Sequence, residues 1–292
     1  MGSSSLIANA ALSGEFKLAG QVPIRRMGFG AMRITGPGIW GDPQDPVAAR
    51  RLLQRVVERG VNFIDTADSY GPEVSERLIA EALHPYPAGL IIATKGGLTR
   101  QGPEKWAPVG RAEYLQQCVE MSLRRLRVEC IDLYQLHRID PKVPMEESLG
   151  VLGRLQRAGK IRHIGLSEVS VTEIERARKI VSIASVQNLY NISNRQSEAV
   201  LSYCEKNQLG FIPWFPVAAG DLARPGGPLD RAAHAHSATV SQIALAWLLH
   251  RSPVMLPIPG TSSITHLEEN VAASAVKLTD AEWREIEMSV TR

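Results

Sequence analysis

The sequence predicts a single-domain α/β protein, a (β/α)8 barrel, and three observations carry that expectation. Short strand-like runs alternate with helix-like runs from about residue 27 to about residue 275. The strand-like runs number eight, and 292 residues is a suitable length for one barrel with eight strands and eight helices. No linker or change of composition divides the chain. An N-terminal segment 1–20 followed by a barrel over 21–292 is therefore expected.

The elements follow in order. Strand one is "RRMGFGAM" (25–32), followed by the Pro/Gly-rich stretch "RITGPGIWGDPQDP". Ala49, Leu52, Leu53 and Val56 then recur at helical spacing, with Gly60 placed as a C-terminal cap. Strand two is "VNFIDT" (61–66) and strand three "LIIATK" (90–95), the latter followed by "GGLTRQGPEKWAPVG". A second apolar stripe runs through Leu115, Cys118, Val119, Leu123 and Leu126 into strand four, "CIDLYQLH" (130–137). Met145, Leu149, Leu152 and Leu155 form a third stripe, closed by Gly159. Strands five to seven are "IRHIGLS" (161–167), "IASVQN" (183–188) and "LGFIPWFP" (209–216). The loop "AAGDLARPGGPLD" (218–230) leads to a helix carrying Val240, Ile243, Ala244, Trp247 and Leu248. "PVMLPIPG" (253–260) is strand eight. In a barrel the three Pro/Gly-rich stretches are loops on the C-terminal face, where functional groups gather.

Composition narrows the function. The net charge of +3 comes largely from arginines spread over helical segments, which reads as solvated faces and not as a nucleic-acid surface. No run of about 18 apolar residues exists to span a membrane, and the first residues lack the pattern of a secretory signal. Cys118, Cys130 and Cys204 cannot all pair, which fits free thiols in a reducing, cytoplasmic setting. The protein is expected to be a monomer or a weak homo-oligomer.

The stretch "NFIDTADSYG" is the informative one. Strand two ends at Asp65, and Tyr70 follows five residues later; Lys95 ends strand three and His137 ends strand four. Each has a plain structural reading alone: a loop anchor, loop packing, a solvated amine, a hydrogen-bonded barrel residue. Together they occupy one mouth. Reducing a carbonyl needs a hydride at carbon and a proton at the developing alkoxide. A phenol titrates near pH 10, and an adjacent ammonium is expected to draw that value down. Lys95 suits this part, with Asp65 as its ion-pair partner. Neutral His137 suits donation to the carbonyl oxygen. Asp68 is expected to be dispensable.

An Asp, a Tyr five residues on, a Lys at the next strand end and a His at the one after resemble the tetrad of the aldo-keto reductase family. "GKIRHIGLS", "VQNLYN" and "IPGTSSITHLEEN" resemble further segments of that family. The wording "GPGIWGDP" and "QNLYNI" is most similar to its bacterial pyridoxal reductase-like branch. The resemblance implies a small-molecule carbonyl substrate and a reduced nicotinamide cofactor lying across the mouth, NADPH first and NADH as an alternative.

It implies nicotinamide contacts at Ser167, Glu168 and Gln187, with Trp214 stacked on the ring. It also implies cofactor contacts from Gly30, Ala31 and Met32, from Phe215, Pro216 and Val217, and from Gly260, Thr261, Ser262, His266, Glu269 and Asn270. Glu168 stands where many members carry Asn, and Gly260 and His266 where a Lys and an Arg clamp the 2′-phosphate. The expected NADPH preference is therefore modest. Trp40 and Trp106 are candidate substrate contacts. No metal is expected, and the pair His234 and His236 lacks nearby carboxylate or thiolate ligands. Two other functions fit parts of the pattern: a cofactor-binding regulatory subunit, and a barrel lyase using Lys95 as a Schiff-base amine.

Overall fold

The computed structural model describes residues 9–217 and 225–290. Residues 1–8 of the expected N-terminal segment, residues 218–224 of the loop "AAGDLARPGGPLD" and the last two residues of the tail lie outside the described residues.

The chain opens with an antiparallel hairpin that the sequence reading missed, β1 (Glu15–Leu18) and β2 (Val22–Arg25). Its three-residue turn, 19–21, places Ala19 and Gly20 at φ of 50° and 73°, left-handed conformations that reverse the chain. That turn falls where the boundary between segment 1–20 and barrel 21–292 was expected. Phe16, Leu18 and Ile24 are buried in the same core as the main sheet. A Cβ on Gly210, the first residue of the last strand, would lie 3.3 Å from Phe16 and 3.6 Å from Leu18. The hairpin therefore covers the N-terminal end of the sheet.

The rest alternates as expected. It runs β3 (Phe29–Gly30), α1 (Pro46–Glu58), β4 (Phe63–Asp65), α2 (Val74–Leu83) and β5 (Ile91–Gly96). The hairpin β6 (Leu98–Gly102) and β7 (Lys105–Pro108) follows, then α3 (Ala112–Leu126), β8 (Ile131–Leu136) and α4 (Met145–Arg157). The chain continues through β9 (Ile161–Ser167), α5 (Val171–Arg178), β10 (Ile183–Leu189), α6 (Glu198–Asn207) and β11 (Gly210–Trp214). Helices α7 (Pro228–Ala235), α8 (Val240–Arg251), α9 (Ile264–Ala272) and α10 (Asp280–Val290) complete it.

Asp45 caps α1 by accepting from the Val47 and Ala48 amides, ahead of a Pro at the first helical position. The apolar stripes of α1, α3 and α4 are buried as their spacing requires. Helix α8 departs from its stripe. Leu245 and Ala246 are buried too, because α7, α9 and a short 3-10 turn pack around it.

Seven strands form one parallel sheet in the order β11-β10-β9-β8-β5-β4-β3, a curled α/β barrel-like fold. The expected eighth strand is not formed. Residues 253–260 touch β11 through two hydrogen bonds and the residue before β3 through one. The Phe211 amide donates to Val254 O, the Leu256 amide to Phe211 O and the Gly28 amide to Pro257 O, all at 2.8–2.9 Å. Pro257 and Pro259 have no N–H to continue a ladder, so the sheet stays open between β11 and β3. The first strand is likewise cut to two residues. Because every strand of this sheet runs the same way, Gly30, Asp65, Lys95, His137, Ser167 and Trp214 arrive at one end.

Candidate active site

Parallel register brings the four polar residues at the ends of β4, β5 and β8 into one cluster. The Lys95 ammonium donates to Asp65 Oδ1 at 2.6 Å, to Thr66 O at 2.8 Å and to Tyr70 Oη at 3.2 Å. Lys95 is wholly buried, and Asp65, Tyr70 and His137 are 2%, 7% and 5% exposed, so bulk water does not solvate the pair. Asp65 Oδ2 accepts from Gln135 Nε2 at 3.0 Å and Gln187 Nε2 at 2.9 Å. The carboxylate is thus fully bonded where an unpaired one would be costly. The sequence reading missed Gln135. Its signal was its place on β8 two positions before His137, a spacing that points side chains to the same face of an extended chain.

The electrostatics correct one expectation. Burial pushes the Tyr70 phenol up; Lys95 lowers it and Asp65 raises it again, and the balance stands above the ordinary value of 10. The ammonium moderates the rise without drawing the phenol below its ordinary value. Tyr70 therefore remains a protonated donor at neutral pH. Burial pushes Lys95 down, but Asp65 and Tyr70 outweigh it and hold the amine above its ordinary value. A Schiff-base lysine needs the opposite, a neutral amine. Burial, Lys95 and Arg138 together hold His137 well below 6.5, so its imidazole is neutral.

Ser69 Oγ lies 3.3 Å from His137 Nδ1. When that hydroxyl donates, the ring proton sits on Nε2. His137 also meets Tyr70 edge-on, with centroids 5.9 Å apart.

Above this cluster the structure builds a roof around Arg100, which the sequence reading did not select. Its guanidinium donates to the carbonyls of Gly38, Ile39, Ser69, Gly102 and Lys105. It also packs on Trp106 at 3.6 Å and Trp40 at 5.5 Å from the ring centroids. One planar fork therefore ties together three loops. Trp106 is half-buried and stands edge-on to Tyr70 and His137, at 6.4 Å from each. Trp40 bridges to Gly71, beside Tyr70, and is 38% exposed.

The other candidates lie along the same mouth. Ser167 Oγ accepts from Arg138 at 3.0 Å. Glu168, at φ 56°, accepts on Oε1 from the Trp214 indole and the Leu189 amide, both at 2.6 Å. Its carboxylate thereby fixes the Trp214 ring. Pro216 is buried, whereas Phe215 and Val217 are 53% and 36% exposed, an apolar edge at the end of β11.

Gly30 and Gly260 cross closely. A Cβ on Gly30 would sit 2.6 Å from Ile258 O, and one on Gly260 would sit 2.7 Å from Gly30 O. Only glycines allow this crossing, which brings the end of β3 against the segment that leads into α9. Ser263 caps α9 by accepting from the His266 amide at 3.4 Å. Ser262 and His266 are exposed, and Glu269 and Asn270 lie partly exposed on α9. Arg33, exposed, adds a cation the sequence reading passed over. Its Cγ is 3.5 Å from where a Gly260 side chain would begin. A helix N-terminus with an arginine stem beside the segment that leads into it is a fitting place for phosphate.

Among the described residues no group of His, Cys, Asp or Glu is arranged to hold a metal, and no helix is long and apolar enough to cross a membrane. His236 instead lies 3.0 Å from Glu282.

Comparison with known proteins agrees with this geometry. The pattern of the aldo/keto reductase family matches residues 26–290. An uncharacterised oxidoreductase of Schizosaccharomyces pombe is 54% identical over 275 residues, covering 94% of this chain and 89% of its own. Pyridoxine 4-dehydrogenase of Escherichia coli is 40% identical over 267 residues, covering 89% and 93%. An aldo-keto reductase from Klebsiella pneumoniae, solved in complex with NADPH, shares the fold with a TM-score of 0.81 at 23% identity, over 94% of each chain.

Proposed function

The chain belongs to the aldo/keto reductase family and is an NAD(P)H-dependent oxidoreductase acting on carbonyl groups; we propose that it reduces aldehydes with NADPH and that Tyr70 is the proton donor. One observation carries the reading: a buried ammonium joining Asp65 Oδ1 to Tyr70 Oη at the mouth of the sheet. A bound nicotinamide would supply the hydride. The protein's own part is to hold the carbonyl and deliver a proton. His137, neutral and oriented by Ser69, donates to the carbonyl oxygen and places it near Tyr70. As negative charge grows on that oxygen, the Tyr70 hydroxyl gives up its proton. An alkoxide is a much stronger base than a phenolate, so an unlowered phenol suffices. Lys95 stabilises the phenolate left behind, and Asp65 keeps Lys95 charged and in place.

The cofactor would be held by the apolar edge Trp214, Phe215 and Val217, by Ser167 and Gln187, and by Gly260, Thr261 and Ser262 at the start of α9. Arg33 stands in for the missing phosphate clamp. Residues 253–260 lie across the gap where an eighth barrel strand would stand, within a single domain. For the substrate we propose planar aromatic aldehydes, with pyridoxal first, facing Trp106 and Trp40. The relation to pyridoxine 4-dehydrogenase supports that choice. The test is NADPH oxidation by the purified protein with pyridoxal, aromatic aldehydes, sugar aldehydes and cyclic ketones. Turnover with none of them, or turnover that needs added zinc, would overturn the reading.

A further inference from the structure

We propose that Arg100 is a positioning residue for the reduction, a clamp that holds the backbone ahead of Tyr70 and the wall of the aldehyde pocket; this rests on the function proposed above. A guanidinium carries five N–H donors in one plane. Here each of them finds a carbonyl. Nη1 donates to Ile39 O at 2.6 Å and Ser69 O at 2.8 Å, and Nη2 to Gly38 O at 2.9 Å and Gly102 O at 3.2 Å. Nε donates to Lys105 O at 3.2 Å. Gly102 and Lys105 belong to the β6–β7 hairpin itself. The other three carbonyls come from the loops after β3 and β4, which carry Trp40 and Tyr70.

Ile39 is an independent sign that this contact is held for a purpose. It is a β-branched residue at φ 56°, directly after Gly38 at φ 67°, and for such a side chain the left-handed region is a strained outlier. Strain of this kind persists only where the surroundings over-determine it, and it gathers at functional sites. The two successive carbonyls of this strained turn both end on the fork. Burial meanwhile lowers the pKa of Arg100, and no carboxylate charge is set against that. The side chain is committed to carbonyls and rings, not to an ion pair.

The clamp reaches the reacting groups by two routes. Ser69 O belongs to the peptide that leads into Tyr70, and Ser69 Oγ lies 3.3 Å from His137 Nδ1. The bond from Arg100 therefore holds Ser69 where it orients the imidazole. The guanidinium also packs over Trp106, which stands edge-on to both Tyr70 and His137. None of the five carbonyls belongs to a residue expected to contact the cofactor, so the clamp acts on the aldehyde side. Lysine would keep the charge but neither the plane nor the five donors.

Arg100→Lys and Arg100→Ala test this in the full chain. Both should bind NADPH as the wild type does in a fluorescence titration. For the best aromatic aldehyde, kcat/KM should fall by about 10²-fold in each, the scale of a misplacement of about 1 Å at a reacting centre. Propanal, which lacks a ring to face the tryptophans, should keep its KM and lose kcat alone. Hydrogen exchange should quicken in residues 36–42 and 66–71 and stay unchanged in 261–270. That readout needs no turnover, so it separates failure of the clamp from failure of the reductase reading. If Arg100→Ala does not fold, Arg100→Lys decides. The proposal is overturned by wild-type kcat/KM in either variant, since Arg100→Lys at full activity would mean that charge alone suffices. A parallel loss of NADPH affinity would also overturn it, as would unchanged exchange in residues 66–71.

Discussion

At one end of the parallel sheet, Phe16 and Leu18 of the first hairpin lie buried over Gly210 in an apolar floor. At the other end, Asp65, Tyr70, Lys95 and His137 are buried just as deeply, but through hydrogen bonds and an ion pair. Burial alone therefore does not distinguish a stabilising region from a reactive one. What differs is the cost of exchange. Trimming the floor loses transfer free energy and leaves a cavity. Removing Lys95 from the mouth strands a charge and, on the proposed mechanism, takes away a proton path.

The largest expected effect is at the mouth. Tyr70→Phe keeps the ring, removes the hydroxyl and should lower kcat by about 10²–10⁴-fold, with NADPH binding retained. Lys95→Met should lose as much, and should also destabilise the fold by about 3–5 kcal/mol, because Asp65 is left buried and unpaired. Steady-state kinetics and urea unfolding of the same preparations separate the two losses.

The matching cut at the floor is Phe16→Ala. It should destabilise by about 3–5 kcal/mol with kcat per folded molecule unchanged. A large fall in kcat at full folding would break the contrast between the two ends.

Much of this division was legible in the sequence. The helix stripes and six of the strands follow from periodicity, and the order Asp, Tyr, Lys, His placed the mouth. The floor was present in the alternation of Glu15, Phe16, Lys17 and Leu18 ahead of the Ala19–Gly20 turn, but lay in a segment set aside as N-terminal. The eighth strand misled because its apolar content suits a strand while Pro257 and Pro259 deny it the ladder. Arg100 left no pattern at all. Its partners are carbonyls, two of them more than sixty residues away, and any residue type supplies a carbonyl. The direction of the Tyr70 shift needed burial, which a list of neighbouring charges does not contain.

Two smaller effects sharpen the picture of the mouth. Arg33→Ala should weaken NADPH by about one to two decades, the value of a lost hydrogen bond to a charged group, and leave NADH nearly unchanged. Equal losses for both cofactors would place Arg33 away from the 2′-phosphate. The smallest effect is on pH. His137 is held neutral well below 6.5, so lowering the pH through 6.5 does not charge it, and kcat/KM should show no histidine inflection there. An inflection near 7 that vanishes in Asp68→Asn would belong to the buried Asp68 carboxyl, not to His137.

The central claim is that Tyr70 and Lys95 act as one proton-delivering unit. The direct measurement is kcat for pyridoxal reduction by Tyr70→Phe, Lys95→Met and the double variant, each with NADPH binding verified. Residues acting as a unit give a double variant little worse than either single one. Losses that multiply, or a Tyr70→Phe enzyme retaining more than about a tenth of wild-type kcat, would mean that the proton comes from elsewhere.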